Sequence, residues 1–383
     1  AGDAHRRSSR ARRLVSTVLL TGVGGLGGWA LEFLARTEGI DRIVSVKRSP
    51  WSGPSKSTMA MLGSVFQGHT KVFEHHEVDL ADVDRMARLL DEVQPDAILH
   101  SATVQSPRRF MNADVEPARR ALIRSATFGL WLPWHLLPAA QLTRALDKSG
   151  VDTHVVNASF PDVVNTVLWK HFGHGPVAGA GNVEVCAARI LRYVMETSGA
   201  PIDDIAISLV GSHALLAYGP DAGVPHHFEL RIGGHDVTDD YDLDTILMSW
   251  PERIDWGKAD EFSLFAASAV KNVVALLGSG STDTHVTGPA GLPGGYPARI
   301  ENGQVSLSLP DGLDEVAAVA LNDAAARWDG IEEIEADGTV VYTADAVAAM
   351  EEIGHRCEGV TIDGLDQQVE CLQDLYQTLT SPR

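Results

Sequence analysis

Short apolar runs and helical stripes alternate along the first hundred residues of this chain. Residues 14–20 form a compact apolar run of the kind a buried parallel strand needs, and residues 29–36 then repeat apolar positions at helical spacing. The stretches 41–46, 72–78 and 97–100 read as further strands. Residues 83–93 read as a helix with Met86, Leu89, Leu90 and Val93 on one side. Strands alternating with helices predict a parallel sheet with right-handed crossovers. Past residue 150 the pattern adds strand ends at 155–157 and 205–210, and helices over 162–170, after residue 182 and from residue 265. A hairpin follows from 292–300 to 305–309. Residues 338–342 then read as a short strand, and 344–353 and 365–379 as helices.

Between the first strand and the first helix lies Leu19-Leu20-Thr21-Gly22-Val23-Gly24-Gly25-Leu26-Gly27-Gly28. Its glycines satisfy two spacings at once, GxGxxG through Gly22, Gly24 and Gly27, and GxxGxxG through Gly22, Gly25 and Gly28. Such a turn lets the backbone approach a pyrophosphate closely, and the helix it opens offers free N–H groups and a positive dipole end. Strand, turn and helix together predict a dinucleotide-binding Rossmann domain. Such a domain normally carries an acid about 20 residues beyond the glycines, where it accepts hydrogen bonds from the adenosine ribose. This chain has Lys47-Arg48-Ser49 there. Two cations and a hydroxyl suit a 2′-phosphate, so NADP is expected over NAD. The alternative is that both cations are solvated loop residues.

Composition narrows the class. The 383 residues are 44% hydrophobic and 21% charged, enough for two domains with substantial cores. A formal net charge of −20 argues against nucleic acid as a partner. Cys186, Cys357 and Cys371 show no metal-type spacing and fit a reducing cytoplasm. No apolar run reaches the roughly 18 residues that span a membrane. Residues 1–13, with His5, Arg6, Arg7, Arg10, Arg12 and Arg13, read as a disordered basic tail rather than a signal peptide, because the next apolar run is the first strand itself. The pairs His75-His76, His171-x-x-His174 and His226-His227 join no cysteine or carboxylate at zinc spacing, so no catalytic metal is expected.

Two further motifs extend the first half: Val78-Asp79-Leu80-Ala81-Asp82 after the third strand, and Gln94-Pro95-Asp96-Ala97-Ile98-Leu99-His100-Ser101-Ala102 at the fourth. With the GxxGxxG turn, residues 15–105 resemble the cofactor half of the extended short-chain dehydrogenases/reductases. That resemblance implies that Asp79, with Leu80 beside it, meets the adenine, and that Ser101 and Ala102 lie along the cofactor. It stops at the chemistry, since those enzymes use a Tyr-x-x-x-Lys pair and none of the six tyrosines here has lysine four positions later.

The second half is ordered differently. Val155-Val156-Asn157 ends a strand, Pro176-Val177-Ala178-Gly179-Ala180-Gly181-Asn182 forms a glycine turn before an amphipathic helix, and Gly211-Ser212-His213 ends another strand. An Ala-Ser helix at Ala267-Ser268 and the late hairpin through Gly294-Gly295 follow. This order, over residues 150–330, resembles the lactate/malate dehydrogenase family. The resemblance implies that Asn157 lies near the nicotinamide and the reacting oxygen, and that His213 exchanges a proton with substrate. Imidazole titrates near neutrality and suits that task; the alternative is a structural histidine at a strand end. The family's aspartate and arginine after the glycine turn fall by direct counting on Val185 and Ala188, so Glu184 and Arg189 are the nearest candidates. Glu184 would orient the imidazole and Arg189 would clamp a substrate carboxylate; the alternative is that both sit on a solvated helix face. The family's arginine-bearing substrate loop maps to Ser106-Pro107-Arg108-Arg109-Phe110, leaving Arg108 or Arg109 to polarise the carbonyl. The aromatic run 129–138 reads as buried core, with a pocket wall or subunit interface as alternatives.

The expected architecture is therefore α/β. A tail over 1–13 precedes a Rossmann doubly wound parallel sheet over 14–157 and a lactate/malate dehydrogenase-like α+β substrate domain over 158–330. An extension over 331–383 packs on that domain or on a partner subunit. The expected function is NADP-dependent hydride transfer between nicotinamide and a small carbonyl or alcohol, in a cytoplasmic homodimer or homotetramer. Two alternatives stay open: an epimerase or lyase with internal redox, and a catalytically silent cofactor-binding protein.

Overall fold

The computed structural model describes residues 16–49, 51–106, 115–249 and 260–380. The tail over 1–13 and both Arg108 and Arg109 lie outside the described residues. The strands are β1 (Thr17–Thr21), β2 (Arg42–Lys47), β3 (Val72–Glu77), β4 (Ala97–His100), β5 (His154–Asn157), β6 (Ala178–Gly179), β7 (Ile205–Val210), β8 (His227–Ile232), β9 (His235–Asp236), β10 (Ser281–Thr287), β11 (Gly295–Glu301), β12 (Gln304–Leu307), β13 (Ile331–Ile334), β14 (Val340–Tyr342) and β15 (Gly359–Val360). The α-helices are α1 (Gly25–Arg36), α2 (Ser52–Phe66), α3 (Val83–Val93), α4 (Pro117–Ser125), α5 (Leu132–Ser149), α6 (Pro161–Phe172), α7 (Val183–Ser198), α8 (His213–Tyr218), α9 (Leu243–Met248), α10 (Phe262–Leu277), α11 (Glu315–Ala325), α12 (Ala344–Glu352) and α13 (Leu365–Thr380).

The main sheet runs β12-β11-β10-β6-β5-β4-β1-β2-β3. Its six-stranded part, 3-2-1-4-5-6, is parallel throughout and has the Rossmann order, which reverses direction between β1 and β4. Every residue of β1 is buried, as expected where helices cover both faces. On one face α1 and α10 share an apolar core with β1, β4 and β10. On the other, α3 and α5 pack over β1, β2 and β4. Local signals fix the helix ends: Asp82 caps α3 by accepting a hydrogen bond from Arg85 N–H, and Gly150, at φ +65°, ends α5.

The main sheet does not stop at the expected boundary of residue 157. The sheet continues across it, because β6 pairs parallel with β5 and the antiparallel strands β10, β11 and β12 extend the same sheet. The approach at β6 leaves no room for a side chain: a Cβ on Gly179 would lie 2.2 Å from Pro161 Cβ and 2.5 Å from the Thr287 carbonyl. A separate small sheet, β7-β8-β9, packs with α7 and α9.

The C-terminal residues form a third layer. Strands β13, β14 and β15 with helices α12 and α13 bury their apolar faces against α5 and α6, so the extension covers the first half of the chain as well as the second. The aromatic run 129–138 supplies much of that core. Trp131 stacks on Trp134 at 4.9 Å between ring centroids, and Trp134 meets Tyr376 of α13 edge-on at 6.4 Å. Among the described residues no helix is long and apolar enough to cross a membrane. Trp134 is fully buried, and Trp134→Ala is expected to cost about 3–5 kcal/mol in denaturant unfolding. A loss below about 1 kcal/mol would contradict this packing role.

Candidate active site

The carboxyl edge of the parallel sheet opens into a cleft of about 1220 Å³. Its floor is the glycine turn. Gly22 has φ +87°, and a Cβ there would lie 2.6 Å from the Ala102 backbone. A Cβ on Gly27 would lie 1.8 Å from the Gly22 carbonyl, so the turn closes only with glycine at both positions. Ser101 Oγ donates to the Gly22 carbonyl at 2.7 Å and seals the turn against the end of β4. Helix α1 starts at Gly25, and Gly24, Gly25 and Leu26 all border the cleft. The helix therefore presents the N-terminal end of its dipole to whatever the cleft holds.

Lys47, Arg48, Asp79, Leu80, Ser101 and Ala102 line the same cleft. Two lysines are tied to the turn itself. Lys47 Nζ donates to the Val23 carbonyl at 3.2 Å and contacts Ser52 Oγ, while Lys56 Nζ contacts the Gly24 carbonyl. Burial, with the nearby charges of Lys56 and Arg48, lowers the Lys47 pKa. Asp79 accepts a hydrogen bond from Ala81 N–H at 3.1 Å and so shapes its own loop. These residues fit a dinucleotide: a constricted glycine floor, a helix N-terminus, and polar side chains beyond the ends of the parallel strands.

Asn157 lies behind the cleft. Its amide donates to Asn165 Oδ1 at 2.9 Å and accepts from Ser159 N–H at 2.8 Å, and it is fully buried. Its polar atoms hold the turn into α6, and it is not among the residues that line the cleft.

His213 borders the cleft at the start of α8, against the rings of Phe128 and Phe160 at centroid distances of 4.4 and 5.4 Å. Its Nδ1 lies 2.8 Å from Asp329 Oδ1, and its backbone N–H donates to Asp162 Oδ1 at 2.8 Å. The Asp329 side chain is 2% exposed and that of His213 17%. Burial opposes protonation of His213, but the charge and hydrogen bond of Asp329, with the charge of Asp162, outweigh it and raise the pKa. Burial likewise pushes Asp162 up to about 6, against the opposing influence of His213 and the Asn182 amide.

Glu184 does not orient the imidazole. Its carboxylate is buried and contacts Lys271, Ser268, the Gly181 N–H and the Asn272 amide, joining α7 to α10. Asp329 takes the expected place of Glu184. It stands 116 residues beyond His213, and no sequence spacing links the two. Arg189 does border the cleft, with Leu247 and Met248, and its guanidinium lies 3.4 Å from the Leu247 carbonyl. A second histidine also lines the cleft: His135 of α5, hydrogen-bonded through Nδ1 to Ser159 Oγ at 2.9 Å. It sits inside the aromatic run read from sequence as core. Among the described residues no group of three or more His, Cys, Asp or Glu is arranged to hold a metal ion.

Comparison with known proteins bears on the fold. The sequence profile of the NAD dependent epimerase/dehydratase family matches residues 18–124. A search of curated proteins returns no match. Among solved structures, the Cryptosporidium parvum lactate dehydrogenase complexed with lactic acid and nicotinamide adenine dinucleotide superposes with TM-score 0.59 at 16% identity, over 82% of this chain and 96% of that one. The Plasmodium falciparum malate dehydrogenase gives TM-score 0.58 at 12% identity, over 94% and 100%. The Eimeria maxima lactate dehydrogenase with NADH and oxamate gives 0.57 at 13%, over 93% and 96%. The fold is that of the lactate and malate dehydrogenases. The epimerase/dehydratase match runs from β1 to α4 and so covers only the first strands of the main sheet.

The site separates two carboxylates that sequence reasoning could not. Asp329→Asn is expected to lower the His213 pKa, read from its imidazole resonances in an NMR titration, because the charge that stabilises the imidazolium is lost. Glu184→Gln should leave the His213 titration in place and lower thermal stability. The reverse pattern would restore Glu184 as the partner.

Proposed function

We propose that this protein is an NADP-dependent oxidoreductase that transfers hydride between nicotinamide and a small carbonyl or alcohol substrate. The observation that carries the proposal is the His213–Asp329 pair on the wall of a cleft whose floor is a glycine turn. The nicotinamide, when bound, supplies or accepts the hydride. In the reducing direction, protonated His213 gives its proton to the developing alkoxide, and Asp329 holds the ring by Nδ1 so that Nε2 carries the transferable proton. In the oxidising direction His213 takes that proton back. Phe128 and Phe160 pack on the imidazole and limit water at the reacting oxygen. Arg189 is the cleft cation suited to a substrate carboxylate, which it would hold bidentately.

Preference for NADP follows from Lys47, Arg48 and Lys56. These cations crowd the glycine turn in a chain of net charge −20, and their mutual repulsion is relieved when a phosphate sits among them. Replacing Lys47 and Arg48 by alanine should raise the KM for NADPH at least tenfold more than that for NADH. Equal effects on the two would contradict a 2′-phosphate site.

The epimerase/dehydratase match favours a second reading, in which the nicotinamide is oxidised and reduced within one turnover. Cofactor retained through purification would support it, and freely exchanging cofactor supports the dehydrogenase.

His213→Ala should lower turnover about 10²–10⁴-fold while leaving NADPH binding intact. Full turnover in that variant would refute the acid–base role. The pH profile has a definite sign. Reduction needs protonated His213, so its rate falls as pH rises through the raised pKa, and Asp329→Asn should move that fall to lower pH.

A further inference from the structure

The aromatic pair that carries His213 carries His135 as well. The His135 ring lies 5.6 Å from Phe128 and 6.0 Å from Phe160, centroid to centroid, and the residue is only 7% exposed. Its Nδ1 is engaged by Ser159 Oγ, while its Nε2 is buried and has no hydrogen-bond partner. The backbone bond from Val104 N–H to the Trp134 carbonyl, 2.9 Å long, joins the two segments one residue before Gln105 and His135. The Gln105 amide nitrogen is also buried without a partner. His135, Ser159 and Gln105 all border the cleft.

A buried polar atom left unpaired costs about 1–3 kcal/mol, and such atoms are uncommon in folded proteins. Of the nine such side-chain atoms among the described residues, only these two belong to residues that border the cleft, and they lie on adjoining segments of its wall. We infer that His135 and Gln105 form a subsite for a hydroxyl group that the substrate carries in addition to its reacting oxygen. The inference rests on reading the cleft as a carbonyl/alcohol site and narrows the substrate to hydroxylated carbonyl compounds.

A hydroxyl matches these partners better than other polar groups do. The Ser159 contact is compatible with either imidazole tautomer, so Nε2 either donates or accepts. A hydroxyl does both, and its oxygen has a lone pair left for the Gln105 amide. An anion matches poorly. Burial holds His135 down at about 3, with the charges of His213 and His100 acting the same way, so the ring is neutral at physiological pH and offers no counter-charge. Among the cleft's cations, Lys47 and Arg48 are already assigned in the proposed function to the cofactor, His213 to the reacting oxygen and Arg189 to a carboxylate.

The test compares two matched substrate pairs, hydroxypyruvate against pyruvate and hydroxyacetone against acetone, with NADPH. The wild-type protein should favour the hydroxylated member by about tenfold in kcat/KM, the scale of one hydrogen bond. His135→Phe keeps the aromatic packing and should remove that preference, read as the ratio of kcat/KM within each pair, with NADPH affinity retained. Gln105→Leu, on a partly exposed wall position, should reduce the preference too and serves if His135→Phe fails to fold. Turnover of both members at equal rates would overturn the subsite and leave the oxidoreductase reading standing. So would a preference that survives both substitutions, or lost NADPH affinity with the preference intact, which would assign His135 to the cofactor. Calorimetric binding of glycerate and lactate to the NADPH-loaded protein, in which an alcohol finds no hydride acceptor, reads the same discrimination without turnover. Equal or absent binding of the two contradicts the inference, even where the oxidoreductase activity is itself missing.

Discussion

The candidate site depends on one buried contact, between the His213 imidazole and the Asp329 carboxylate. Two chain segments more than a hundred residues apart meet there in an apolar surround, where an unpaired carboxylate would be costly. The segment bearing Asp329 is itself held from two sides. The Asp329 carbonyl accepts from Thr127 Oγ1 at 2.7 Å, just before Phe128, and the Gly330 carbonyl accepts from Thr343 N–H at 2.8 Å at the start of α12. The C-terminal layer is therefore part of the support of the site. By packing on α5 and α6 it fixes Asp329, Phe128 and Phe160 around His213. Asp162 completes the arrangement from the first turn of α6, with its other oxygen on the Asn182 amide.

The glycine turn imposes the second constraint. Gly22 and Gly27 approach each other and the end of β4 too closely for any side chain, which fixes where a pyrophosphate could sit. From there the cleft runs past the ends of the parallel strands to His213. The glycine floor and the His213–Asp329 pair are thus set by different physics, steric exclusion at one end and charge pairing at the other.

Much of this was legible in sequence. The helix read over 83–93 matches α3, and the strands read at 97–100 and 205–210 match β4 and β7, because apolar periodicity and capping residues there agree. His213 and the glycine turn were found through short motifs whose chemistry is local. What sequence could not give were the pairings made by tertiary structure. Glu184 has the right residue type near the right place, yet its neighbours in space are Lys271 and Ser268. Asn157 likewise has its partners in Ser159 and Asn165, and Asp329 follows a stretch where no motif marks it. Sheet pairing between β5, β6 and β10, which carries the main sheet past residue 157, is likewise invisible to a one-dimensional pattern. His135 was hidden inside an apolar run, where a histidine reads as core.

The central claim is that a nicotinamide nucleotide occupies the cleft beside a proton-transferring His213. The most direct test is to titrate histidine-labelled protein with NADPH, following nicotinamide fluorescence and the His213 ring resonances in the same samples. The account predicts saturable binding at one nucleotide per chain, with the His213 resonances moving in step with occupancy. Binding that leaves His213 unperturbed, or no binding at all, would contradict it.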